Sequence, residues 1–412
     1  MALTAYTLLV DFRLAQRNIL RQRRRSVIAI LAIGFGVIAM MLSVGYMEWI
    51  YWANRELSTV NQLGHVQVAR PGYHEDGLAD PYHYLMPAHS PALLALQALP
   101  EVRSVVPRLA FNCLVSHGEN ALSFSGEGID PVLDPSSRDL QVIAGKLLSG
   151  DDPKGIVLGA GLAANLGVTT GDSIVLLCST ASGGMNAIEG KVRGLISTSM
   201  KAFDDSILRM PIATARELLR TQGAHLWIVT LKDTSLTDPV MSRLRMEPSL
   251  RGFEVVPWTR LADFYNKTVA LFSRQMGVVK LIIAVIIVLS ISNTMTMSVM
   301  ERTVEIGTAM ALGVRRQRIL VLFLLEGGLL GAVGGIFGVA LGTLAAHVIS
   351  AIGIPMPPAP GMSRGFLAGV IVTPGIVFDA LLLALSTTLI ASIYPAWRAS
   401  RLVIVDALRH NR

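Results

Sequence analysis

The chain has 412 residues, 52 % of them hydrophobic, with a formal net charge of +7 and a mean hydropathy of +0.52. Residues 1–25 carry six Arg against Asp11, residues 301–318 four Arg against Glu301 and Glu305, and residues 398–412 four Arg against Asp406. These three segments hold more positive charge than the whole chain, so the rest is slightly acidic. That distribution excludes a wholly soluble protein and a nucleic-acid binder with a basic folded face.

Residues 1–25 open the chain. Leu8, Leu9, Phe12, Ala15 and Ile19 recur at helical spacing, with Asp11, Arg13, Gln16 and Arg17 opposite. The pattern predicts an amphipathic helix lying in the interface or extending the first span. Residues 26–52 form that span. Its apolar run, 26–47, exceeds the about 20 residues that cross a ~30 Å hydrocarbon core. It is too long for a signal-peptide core and no small-residue cleavage site follows, so it reads as retained. Glu48-Trp49-Ile50-Tyr51-Trp52 reads as an interfacial aromatic belt.

Residues 53–270 read as a large mixed α/β domain. Helical patterns occur at 91–99, 160–166 and 213–221, and strand patterns at 65–69, 156–158, 173–178, 191–196 and 226–231. Turn signals such as Pro71-Gly72 and Ser182-Gly183-Gly184 separate them. Cys113 and Cys178 both fall in strand-like runs of this domain; they read as two buried small hydrophobes, with a bridge permitted in an oxidising compartment. Residues 258–280 are expected to be one helix running into the second span, 271–300.

A short loop, 301–318, precedes the third span, 319–349. That span is rich in glycine: Gly327, Gly331, Gly335, Gly338 and Gly342 fall at small-xxx-small spacings that let helix backbones approach closely, within the chain or across a subunit interface. Residues 350–373 contain Pro355, Pro357, Pro358 and Pro360 and are a non-helical loop. Thr373-Pro374 restarts helix as N-cap and first helical residue. The fourth span is 374–397 and the tail 398–412. Arginines flank the spans on one side, so the positive-inside rule puts both termini and 301–318 in the cytoplasm and 53–270 outside. Glu326 and Asp379, the only acidic residues within these last two spans, each lie near a span end and are expected to be interfacial. The fold class is thus an α-helical membrane domain of four transmembrane helices plus a large mixed α/β extracytoplasmic (periplasmic) domain.

There is no G-x-x-x-x-G-K-[ST] phosphate loop, and Gly159-Ala160-Gly161 lacks the spacing of a dinucleotide fingerprint. His65, His74, His83, His89 and His117 match no compact metal pattern and read as solvated polar positions. No catalytic constellation and no metal site emerge, and the chain itself is not read as an enzyme. The loop 301–318 is the informative segment. Residues 301–313 read as a short helix with Glu301 and Glu305 early, arginines late and Gly313 as C-cap. Ile306, Met310 and Leu312 are too few to build a core and suit docking into a groove on another protein.

The run Glu301-Arg302-Thr303, Glu305-Ile306-Gly307, Ala311-Leu312-Gly313 after an apolar span resembles the hallmark of the FtsX/MacB/LolC-LolE superfamily of ABC transporter permeases. Tyr394-Pro395-Ala396-Trp397-Arg398-Ala399-Ser400-Arg401, continuing to Ala407-Leu408-Arg409, resembles that family's C-terminal ending. Val157-Leu158-Gly159-Ala160-Gly161-Leu162-Ala163-Ala164-Asn165-Leu166-Gly167, then Gly171-Asp172, is similar to its periplasmic-domain pattern.

The resemblance implies a permease worked by mechanotransmission in a bacterial inner (cytoplasmic) membrane. A separate ABC ATPase subunit would bind ATP and Mg, leaving this chain without a cofactor, and would hold the coupling helix. Glu305, Ala311, Leu312 and Gly313 would be its contacts, with Glu301, Arg302, Ile306 and Gly307 in the same helix. Further implied partners are a second permease subunit, identical or paralogous, and lipoprotein or lipid cargo with a periplasmic carrier or adaptor; nucleic acid is not among them. The stalk would pair residues 30–60 with 258–280, and a cargo groove would lie near residues 38–51 and 264–281. The layout is closest to the lipoprotein-releasing branch, with a MacB-like exporter and an FtsX-like regulator as alternatives.

Overall fold

The computed structural model describes residues 2–59, 63–77, 80–88, 90–134, 136, 140–198, 201–357 and 365–403. His89, Pro358, Pro360, Arg364, the Ala407-Leu408-Arg409 motif and the side chains of Leu8 and Leu9 lie outside them. In chain order come α1 (Ala2–Arg21), α2 (Arg23–Ser58), β1 (Val66–Ala69), α3 (Tyr73–Asp76), α4 (Pro91–Gln97), β2 (Val102–His117), β3 (Asn120–Ile129), β4 (Gln141–Gly145), β5 (Gly155–Gly159), α5 (Ala160–Leu166), β6 (Ser173–Ser179) and β7 (Met185–Ser197). Then follow α6 (Lys201–Asp204), β8 (Ile207–Pro211), α7 (Ile212–Leu219), β9 (Leu226–Leu231), α8 (Thr237–Leu244), β10 (Glu254–Pro257), α9 (Trp258–Leu261), α10 (Asp263–Glu301), α11 (Thr303–Ala311), α12 (Arg316–Ile352), β11 (Ile354–Met356), β12 (Phe366–Ala368) and α13 (Pro374–Ser400). Two compact units result: Met1–Tyr51 with Val269–Pro355 and Leu367–Arg412, and Trp52–Thr268 with Met356–Phe366.

In the first unit α2, α10, α12 and α13 are each long and apolar enough to cross a membrane. The glycines of α12 decide how three of them meet. A Cβ on Gly327 would lie 1.9 Å from Ser392 Oγ, and one on Gly331 2.1 Å from Thr388 Oγ1, both on α13; one on Gly335 would lie 3.2 Å from the Ala384 Cβ. A Cβ on Gly338 would lie 2.7 Å from Val37 and one on Gly342 3.0 Å from the Met41 sulfur, both on α2. The glycine stripe therefore seats α13 and α2 within this chain, the intramolecular one of the two uses its spacing permitted.

Two helical expectations are corrected. The helix into the second span is not continuous from 258: it breaks at Ala262 (φ −81°, ψ 61°), between α9 and α10. On α1, Asp11 belongs to the buried side rather than the exposed one. It lies with Ala15, which is fully buried, while Phe12 and Leu20 are exposed. Asp11 Oδ1 accepts from Arg318 Nε at 2.9 Å, a partner 307 residues away.

The second unit is built on a ten-stranded mixed sheet of order β10-β1-β9-β2-β3-β8-β5-β7-β4, with β6 pairing β2 and β7. β2 joins its two parts, pairing β9 through residues 102–108 and β3 through residues 109–117. Its first half faces a core of Val66, Val68, Leu96, Trp227 and Leu244, and its second half a core of Phe111, Val115, Leu162, Leu176 and Leu218. Leu114 on β2 opposes Leu177 on β6, which sets Cys113 beside Cys178 with 4.9 Å between Cα atoms. The two form a disulfide, so they are not free buried thiols.

A buried charge cluster also sits in this unit. Arg108 Nη2 donates to Asp134 Oδ2 at 2.9 Å, Arg209 Nε to Glu127 Oε2 at 2.8 Å, and Arg209 Nη1 to the Ser136 carbonyl at 3.2 Å. Burial alone would raise the Asp134 carboxyl, but Arg108 and Ser136 outweigh it and hold it below the ordinary carboxylate range.

Candidate functional site

The site is α11 and what anchors it. Arg302 breaks the path from α10 with φ −102° and ψ 12°, and α11 follows for nine residues. Its end is a Schellman motif. Gly313 has φ +93°, its N–H donates to the Met310 carbonyl at 3.0 Å, and the Val314 N–H donates to the Ala309 carbonyl at 3.1 Å. Glycine is required there by the positive φ.

One face of α11 is closed. Ile306, Gly307 and Met310 are buried, and Ile306 and Met310 join the same apolar core as Phe323 of α12 and Val299 of α10. This corrects the reading that Ile306 and Met310 are free to dock elsewhere: nine residues are too few for a core of their own, but the bundle supplies the rest. The other face is open. Thr308, Ala311 and Gly313 are exposed and Leu312 is 84 % exposed. An apolar side chain bared to that degree at a helix end gains nothing from its own fold.

Charged contacts hold α11 to the N-terminal helices and to α12. Arg25 on α2 pairs with Glu301, and Arg21 Nη2 on α1 meets Glu305 Oε1 at 2.5 Å. Arg302 Nη1 donates to Glu326 Oε1 at 2.9 Å, and Asn18 Nδ2 donates to the same oxygen at 2.5 Å. The Arg302 guanidinium also lies over the Phe323 ring, 5.5 Å from its centroid. Ser298 Oγ donates to Gln22 Oε1 at 2.9 Å. The Arg21 hydrogen bond holds the Glu305 carboxyl below its ordinary range. Glu326 is 4 % exposed and is the buried hub of this network. Asp379, by contrast, is half-exposed and pairs with Lys280 Nζ at 3.1 Å.

The glycine stripe and α11 thus fall on one helix and on the loop that feeds it, while the histidines lie apart. His65 is buried, with Nδ1 accepting from the Leu231 N–H at 3.2 Å and Nε2 3.0 Å from Thr234 Oγ1; burial lowers its pKa. His83 sits in a 3₁₀ turn and His117 ends β2. Among the described residues no three of His, Cys, Asp and Glu converge. The short helix is thus exposed on one face and held on the other.

The MacB-like periplasmic core domain model matches residues 26–247, and the FtsX-like permease C-terminal model matches 277–404. The chain belongs to this family of ABC transporter permeases. Over 418 residues it is 24 % identical to an uncharacterized ABC transporter permease, MJ1507, of Methanocaldococcus jannaschii, covering 96 % of each. It is 25 % identical to the lipoprotein-releasing system transmembrane protein LolC of Xylella fastidiosa, over 95 % of this chain and 97 % of that one. It is 28 % identical to the macrolide export ATP-binding/permease protein MacB of Hyphomonas neptunium, over 76 % of this chain but only 48 % of MacB. The periplasmic region of MacB from Actinobacillus actinomycetemcomitans aligns to 49 % of this chain at 13 % identity and a TM-score of 0.34. Membership implies an ABC ATPase partner.

Proposed function

We propose that this chain is the permease of a transporter whose separate ATPase subunit grips the open face of α11, at the cytoplasmic side of a bacterial inner membrane. Glu305, Ala311, Leu312 and Gly313 form the contact, and Leu312 is its apolar anchor. The observation that carries this is the asymmetry of α11: Ile306 and Met310 are buried, Leu312 just past its end is 84 % exposed, Glu305 is tied back to α1, and Glu301 at the adjoining end of α10 is tied to α2. A lever must be open to the motor and stiff toward the load, and this helix is both. The arginine-rich flanks support cytoplasmic termini.

A second subunit fits the same picture. In its most apolar window α10 buries only 11 % of its residues within the chain, against 39–44 % for the other three spans. Its bare face of Leu281, Val285, Ile286 and Leu289 suits a partner permease. For cargo we favour lipoproteins or other acylated molecules taken from the outer leaflet, with the groove near residues 38–51 and 264–281. The full-length likeness to LolC supports this branch; the likeness to MacB supports tripartite export instead.

A mild-detergent pull-down of the tagged chain, with mass spectrometry of what co-purifies, tests both levels. Capture of an ATPase that cross-links to Leu312→Cys supports the docking face. Acylated lipoproteins in the same eluate support release, whereas a periplasmic adaptor without lipoproteins moves the assignment to export. Absence of any ATPase from wild type and from the cross-linked variant refutes the coupling role.

A further inference from the structure

A cleft of about 440 Å³ opens between the C-terminal ends of α10 and α13, outside the α11 docking face. Its floor is apolar: Val299 and Met300 from α10, Pro395 from within α13, and Leu402 and Val403 just past its end. Its rim is basic and aromatic. Arg398 in the last turn of α13 and Arg401, its C-cap, are three residues apart, both line the cleft, and Trp397 stands beside them. The Arg401 guanidinium lies over the Trp397 indole, 4.6 Å from the ring centroid. Among the described residues no carboxylate lines the cleft, and neither Arg398 nor Arg401 has an ion pair. Thr303, the first residue of α11, closes one side.

We infer that this cleft is a binding site for an anionic phospholipid of the cytoplasmic leaflet, a conclusion that rests on the orientation proposed above. Each half of the cleft matches half of such a molecule. The two guanidiniums take a phosphodiester, with the planar donor geometry that phosphate favours. The floor takes the upper methylenes of an acyl chain. On the orientation proposed above, Trp397 near the cytoplasmic end of α13 suits the headgroup boundary that amphipathic rings prefer, and basic clefts between helix ends on this face are suited to acidic headgroups. A free phosphate would use the rim and leave the floor empty, so the apolar half selects the lipid. Because Thr303 forms one wall, a bound lipid sits against the start of the coupling helix and braces it toward α13.

The test needs no ATPase, so a failure of the docking assignment leaves it unaffected. The full chain in detergent is titrated with phosphatidylglycerol or with phosphatidylcholine of the same acyl chains, and bound lipid is counted by native mass spectrometry. Wild type should retain phosphatidylglycerol preferentially, and Arg398→Gln/Arg401→Gln should weaken that binding about thirtyfold, the product of two lost surface-potential contacts. Arg315→Gln/Arg316→Gln, in the same basic region but outside the cleft, should bind as wild type does. Unchanged binding in the first variant, or an equal loss in the second, overturns the site. Val403→Trp fills the floor with both arginines intact and should also lower retention; if the arginine variant fails to fold, unchanged binding in Val403→Trp overturns the inference. Soluble glycerophosphoglycerol should not displace the lipid, and full displacement would overturn the lipid assignment in favour of a simple anion site.

Discussion

Removing the Glu326 charge should loosen α11 far more than removing Glu305, the surface carboxylate on that helix. The Arg302–Glu326 pair is 2.9 Å long, with side chains 14 % and 5 % exposed. The Arg21–Glu305 pair is 2.5 Å long, with side chains 71 % and 46 % exposed. A pair open to water contributes about 0.2–1 kcal/mol. Breaking a buried pair by taking one partner costs about 3–5 kcal/mol, because the other charge stays buried without compensation. The Asn18 hydrogen bond on the same oxygen adds only about 0.6 kcal/mol by the average for interhelical hydrogen bonds in lipid. Glu326→Gln and Arg302→Gln should therefore each lower stability by about 3 kcal/mol, and Glu305→Gln by at most about 1 kcal/mol. The double variant Arg302→Gln/Glu326→Gln should lose much less than the sum of its singles. Reversible denaturant titration of the purified chain in mixed micelles measures all four. If the two single losses add, or if Glu305→Gln costs as much as Glu326→Gln, Glu326 is not the hub and the reasoning fails.

Gly331→Ala should lower thermal stability by about 1–3 kcal/mol, since its Cβ would meet Thr388 Oγ1 and the Ala384 carbonyl across the α12–α13 contact, whereas Gly277→Ala, with open space around it, should be neutral or stabilising. Cys113→Ala/Cys178→Ala should cost the α/β domain about 4 kcal/mol by the loop-closure relation, and intact wild type should migrate faster on a non-reducing gel; identical migration with and without reductant would refute the bridge. Burial pushes the His225 pKa from 6.5 down to about 4, so the folded domain holds it neutral. Below pH 6.5 the unfolded chain binds the proton and the folded one does not, so this contribution is intact above about pH 6.5 and is lost as pH falls toward 4. The loss reaches up to about 3 kcal/mol, and a His225→Gln variant, compared by thermal melts across that window, should show a flatter pH profile.

What the sequence made legible was whatever is local. Four apolar runs gave four spans because lipid demands continuous helix, and Gly313 signalled the end of α11 because a positive φ favours one residue type. What it hid depended on partners distant in the chain. Asp11 reads as a solvent residue because Arg318 lies 307 positions on, and the partners of Glu326 are hidden because Asn18 and Arg302 come from two other segments. β2 was only glimpsed as a strand-like run near Cys113, since Pro107 and the buried Arg108 interrupt its apolar alternation. Arg108 is tolerated inside only because Asp134 and Glu127 arrive from elsewhere. The cysteine pair depended on the register of β2 against β6, which no spacing between the two cysteines encodes.

The four spans are not equally bound to one another. Along α12 the glycines bring α2 and α13 into backbone contact, where close packing supplies the attraction that hydrophobic burial cannot supply in lipid. α10 offers one buried stripe, with Ile283, Ile287, Ile291, Met295 and Val299 at four-residue spacing, and much of the rest of its surface is exposed. Since lipid tails solvate that bare surface as well as protein does, little apolar energy fixes α10 in place. What fixes it is polar: Lys280 with Asp379 midway along it, and Glu301 with Arg25, Ser298 with Gln22 and the adjoining Arg302 with Glu326 at its C-terminal end. Only the last of these pairs is deeply buried, so it sets the energy needed to shift α10 and α11 together against the α2–α12–α13 block.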